Sequence, residues 1–147
     1  MKQGLIAAMT GVLAACSLPT MDKESDGLAR TFYAEVRSGA DLTHDAHVDP
    51  ALASPDAIAA LAPVRGWDAG QQPKQVSNTG FSFNSDTASG TTAQLSHAYV
   101  YAGGTVHVTT VMRKLPGQTT WTIVGFQANT DTGPAVSVGA LPKSNDD

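Results

Sequence analysis

The 147 residues hold one cysteine, Cys16, so no intrachain disulfide can staple the fold. Basic residues are few, nine against thirteen acidic ones, and they form no stripe. A chain of that charge is a poor counterion for a phosphate backbone, and nucleic acid is excluded as an expected partner. No apolar run approaches the roughly 20 residues that a membrane-spanning helix requires. No Asp or Glu occurs between Asp86 and Asp131. Internal repeats, a nucleophile elbow, a P-loop and a dinucleotide fingerprint are all missing, and no cofactor is expected.

The strongest local pattern lies near the start. Lys2 precedes an apolar run from Leu5 to Ala15, which closes on Leu13-Ala14-Ala15-Cys16. This run is too short to cross a bilayer, and small residues precede the cysteine as in a secretory signal. Leu13-Ala14-Ala15-Cys16 resembles the lipobox of bacterial lipoproteins. The resemblance implies a signal peptide over 1–15, with Cys16 as the new N-terminus carrying a diacylglycerol thioether. It also implies a membrane anchor that gains about 0.8 kcal/mol per buried CH2. Ser17 follows the cysteine, and by the sorting habit of Gram-negative lipoproteins this implies the periplasmic face of the outer membrane. An ordinary signal peptide, or a buried helix with an incidental cysteine, is the plainer alternative. Without Lys2 the chain keeps eight basic and thirteen acidic residues, a balance of −5.

The remainder is of one-domain size and can bury a core without metals or disulfides. Residues 16–23 read as a polar tether. Ser25 or Asp26 can cap a first helix, with Leu28, Phe32 and Val36 at four-residue spacing and Ala29 and Tyr33 alongside. Gly39 suits its end. Asp41 to Val48 is expected as a second short helix capped by Asp41. Ser54-Pro55 begins another, with Ile58 and Leu61 inward and Pro63 and Gly66 closing it. From Lys74 the pattern turns to strands, expected at Gln75–Asn84, Thr91–Ala102, Thr105–Lys114 and Thr119–Thr130. The expected fold class is α+β, with N-terminal helices packed on a curved antiparallel sheet of about four strands over 24–130. Residues 131–147 read as a disordered tail.

Turns set a register. A Gly103-Gly104 turn places Tyr101 opposite Val106, Tyr99 opposite Val108, His97 opposite Thr110 and Leu95 opposite Met112. A Pro116-Gly117 turn places Met112 opposite Trp121 and Thr110 opposite Ile123. These residues share one face, expected to pack on the helices. The other face carries Val100, His107, Thr109, Val111, Val124 and Phe126. It is apolar enough to meet an envelope protein or a second copy.

Helices followed by a curved meander resemble the nuclear transport factor 2-like fold. Three passages carry the likeness: Leu28-Ala29-Arg30-Thr31-Phe32-Tyr33, Asp49-Pro50-Ala51-Leu52 and Trp121-Thr122-Ile123-Val124-Gly125-Phe126. The resemblance implies a cone-shaped pocket between sheet and helices, and dimers formed through the sheet. It does not imply one activity. The ketosteroid-isomerase-like enzymes of that superfamily need strand carboxylates, as an Asp base and a protonated Asp in the oxyanion hole. The stretch from Asp86 to Asp131 does not supply them.

Two constellations have the residue types for chemistry. His97, Tyr99, Tyr101 and Thr110 fall on the expected inward face, with Phe32, Met112 and Trp121 as further pocket candidates. His97 could serve as a general base with Tyr99 or Tyr101 in a small lyase or isomerase. The plainer reading makes His97 a hydrogen-bonded core residue. The second is Asp41, His44, Asp45, His47 and Asp49, where His44 and His47 would share a helical face and could hold a divalent metal. Capped turns explain the same residues. The functional expectation is a non-catalytic ligand- or protein-binding lipoprotein of the cell envelope, with the His/Tyr enzyme as alternative.

Overall fold

A computed structural model describes residues 22–68 and 70–141. Cys16 and the expected leader lie outside the described residues. The chain is α+β: two α-helices, a 3-10 turn and a five-stranded antiparallel sheet in simple meander order.

Helix α1 spans Lys23–Ser38. Its cap is Asp22, whose side chain accepts from the Glu24 amide, rather than Ser25 or Asp26. Ser25 is inside the first turn and donates to the Asp22 carbonyl. The stripe Ala29, Phe32, Tyr33 and Val36 is buried as its spacing predicts. Gly39 ends the helix at φ 71°, a left-handed value natural to glycine.

The expected helix over Asp41–Val48 does not form. Asp41 accepts from the Thr43 amide and Asp45 from the His47 amide. Such local bonds favour turns over helix. Leu42 and Val48 are still buried. The segment is stitched to the sheet, because Ile123 donates its amide to the His47 carbonyl at 2.7 Å and Asp49 donates its amide to the Ile123 carbonyl at 2.9 Å. A 3-10 turn, Pro50–Ala53, then leads through the Ser54 cap into α2, Pro55–Gly66. Pro63 lies inside α2 rather than ending it, and Leu61 and Val64 supply its buried face.

The strands are β1 (Gln75–Asp86), β2 (Gly90–Tyr101), β3 (Gly104–Lys114), β4 (Thr122–Thr130) and β5 (Val136–Gly139). Strand count is therefore five rather than four. β5 falls within the stretch expected to be a disordered tail. It pairs with β4, and Val138 is buried. Four residues with one alternation give too little pattern to stand out among Gly, Pro and Ser.

The β2–β3 turn is Ala102-Gly103, with Tyr101 opposite Gly104, Tyr99 opposite Val106 and His97 opposite Val108. The expected register is off by two residues, which leaves every side chain on its expected face because the strand period is two. The β3–β4 pairing differs more. Met112 faces Ile123, but Val111 faces Gly125, so Val124 is an extra bulged residue. A one-residue bulge reverses the facing of all that follows. Phe126, expected on the outer face, therefore points inward opposite Thr110 and meets Phe32 edge-on at 5.4 Å. Trp121 precedes β4 rather than pairing with Met112, yet it is buried.

Candidate functional site

The inward sheet face brings together Tyr101, Tyr99, His97, Thr110 and Met112, all buried with Phe32 and Trp121. These side chains are packed together in the core between sheet and helices. Phe32 packs on Phe126, and Tyr33 from α1 packs on Tyr99 at 4.2 Å between ring centroids. Tyr33 and Tyr101 share a buried hydroxyl–hydroxyl bond of 3.0 Å. Burial, and then that bond, pushes Tyr33 far above the usual phenol range. Burial likewise raises Tyr99, opposed by the positive charge of Arg30. Neither phenol ionises readily.

His97 is 1% exposed. Its Nε2 lies 2.6 Å from Asp26 Oδ1 on the first turn of α1. The second Asp26 oxygen makes an ion pair with Arg30 Nε at 2.9 Å, at an angle outside hydrogen-bond geometry. His97 Nδ1, the Tyr99 hydroxyl and Thr110 Oγ1 are buried without a hydrogen-bond partner among the described residues. A histidine held by a carboxylate is a familiar general-base arrangement, but here the ring is buried away from solvent. Trp121 provides a second tie, donating its indole N–H to Asp22 Oδ2 at 3.1 Å. That bond is the main reason the Asp22 carboxyl lies below the usual range. Lys114 Nζ stands 4.5 Å above the same indole.

Sequence reasoning singled out His97 and Trp121 but missed their partners. Asp22 and Asp26 are four apart and continue the buried stripe of Ala29 and Tyr33 toward the helix start. Carboxylates on an apolar stripe are the signal that could have revealed them.

A hollow of about 450 Å3 lies on the other face, lined by Ser82, Asn84, Gln94, Val111, Arg113 and Leu141, among others. Chain beyond β5 forms one wall, where the Ala140 amide bonds to the Val124 carbonyl at 2.9 Å. Arg113 has no ion-pair or hydrogen-bond partner among the described residues. The hollow is of small-molecule size, with mixed apolar and polar walls.

His44 is exposed, and His47 Nδ1 is 3.2 Å from the Trp121 carbonyl. The helix that would have aligned them is absent. Among the described residues, no group of three or more His, Cys, Asp or Glu side chains could hold a metal ion. No helix among them is long and apolar enough to cross a membrane. No family model, curated protein or solved structure matches the chain.

Proposed function

We propose that this chain is an exported lipoprotein, anchored through acylated Cys16, whose domain is a non-catalytic binding module of the cell envelope. The address rests on Leu13-Ala14-Ala15-Cys16. The non-catalytic assignment rests on one observation, the sealing of His97 and Tyr99 inside a filled core. The binding surface is the outer sheet face around the Arg113 hollow, where an envelope protein or a small ligand has room. In the nuclear transport factor 2-like reading of this α+β layout, helices lie on the inner face of the sheet and the usual cone pocket is closed by Phe32, Met112 and Trp121.

A fatty acid carrying an alkyne tag tests the anchor. It should label the full chain in a Gram-negative host and leave Cys16→Ser unlabelled. An unlabelled wild-type chain ends the lipoprotein reading.

The 2.6 Å contact between Asp26 and His97 favours a second reading, a small lyase or isomerase. Metabolite turnover that the wild type performs and His97→Ala lacks, with both folded, would establish it in place of the binding module.

A further inference from the structure

The first strand of the sheet has a free side. β1 bonds only to β2, so one row of its backbone amides and carbonyls has no strand beside it among the described residues. Proteins usually blunt such an edge with charge, proline, a bulge or a covering element. From Gln75 to Ser85 this strand has neither a charged residue nor a proline. Its one irregularity is the register shift at Thr79. Beyond it, Gly80 to Asp86 is an unbroken run of seven paired positions. This run displays Phe81, a large apolar side chain 43% exposed, in edge contact with Phe83.

We propose that Gly80–Asp86 is a dimerisation edge, pairing antiparallel with the same segment of a second copy to make one continuous sheet. Three features select a second copy over other partners. An edge without charge meets itself without repulsion, apart from Asp86, which is held at the end by the Ala88 and Ser89 amides. A two-fold axis matches the seven-residue run to its own length, which closes the assembly. The opposite edge cannot serve as the mate, since β5 has only four residues and adjoins α2 and the 3-10 turn. Head-to-tail stacking would leave most of β1 unpaired. The axis falls between Ser82 and Asn84, the centre of the run, where the exposed Phe81 rings of both copies flank it. The proposal does not depend on the anchor. It shares Ser82 and Asn84 with the wall of the Arg113 hollow, but its test reads assembly rather than ligand binding, so either can fail without the other.

The test uses the full chain in a Cys16→Ser background, where an introduced cysteine is the only thiol. Cysteines are placed singly at Ser82, at Asn84 and, as a control, at Ser137 on β5. Under mild oxidation, an equimolar mixture of the Ser82→Cys and Asn84→Cys chains, whose positions lie opposite one another across the axis, should form a mixed covalent dimer at least tenfold faster than Ser137→Cys cross-links to itself. Light scattering should give a dimer mass, and the pair Ser82→Lys with Asn84→Lys should return a folded monomer. A monomeric parent, cross-linking that is no faster at β1 than at β5, or a dimer that survives both lysines would each overturn the proposal.

Discussion

Substituting Asp26 by Ala separates a structural role for His97 from a chemical one. His97 is 1% exposed, and its Nε2 has Asp26 as its hydrogen-bond partner. Removing the carboxylate leaves a buried imidazole with both nitrogens unpartnered, since Nδ1 already lacks a partner. Orphaning a buried polar group of this kind costs about 1–3 kcal/mol. The lost Arg30 pair, half-exposed on the helix surface, adds only about 0.3–0.5 kcal/mol. At this chain length each kcal/mol lowers the melting temperature by about 4 °C, so a drop of roughly 5–14 °C is expected. Arg30→Ala alone should move it by no more than about 2 °C. In a His97→Leu background, Asp26→Ala should cost much less than in the wild type, because no imidazole is left to orphan. Calorimetry on the wild type and these four variants reads all of these values. If Asp26→Ala melts with the wild type while some turnover is lost, the pair serves chemistry and the structural account is wrong.

Tyr33→Phe strips Tyr101 of its buried partner and should cost about 1–2 kcal/mol in urea unfolding, with the Tyr33→Phe, Tyr101→Phe pair costing less than the sum. Burial, and then repulsion from Asp45, raises the Glu35 carboxyl above the ordinary glutamate range. Its folded carboxyl therefore holds a proton that the unfolded chain has lost, and the ionised group costs stability above the folded value. Glu35→Gln should raise the melting temperature at pH 7, and the gain should fade as pH drops below the ordinary glutamate value; a gain that grows on acidification would contradict this sign. Gly125→Ala places a methyl 1.9 Å from the Ala140 carbonyl oxygen, a backbone atom that cannot yield without moving the end of β5. It should cost about 1–3 kcal/mol and speed amide exchange at Ala140, leaving the β2–β3 amides protected.

The chain announced its layers better than its exceptions. The spacing of Leu28, Phe32 and Val36, and the alternation of Leu95, His97, Tyr99 and Tyr101, are direct images of a helix stripe and a strand face. Both were read correctly, and a two-residue slip at the Ala102-Gly103 turn left the faces intact. Phe126 was misplaced because one inserted residue, Val124, changes parity without altering composition. Gly125 beside it was the available hint, since glycine within a strand often marks a bulge. The Asp41–Val48 segment failed as a helix because two aspartates bond their own backbone, a competition that capping rules alone do not weigh. His97 was legible as an inward residue. Its pairing was not: the place of Asp26 on the α1 stripe says that it faces inward, but not that it meets a residue 71 positions away.

The ties from α1 to the sheet have a mechanical consequence. Tension on the chain ahead of Asp22 does not meet a helix end free to unravel. It loads an indole at Asp22 and an imidazole at Asp26. These anchorages are four residues apart, about 6 Å along the axis, so a pull that frees the first meets the second one turn further on. The first turn of the helix is thereby secured twice against peeling from its start.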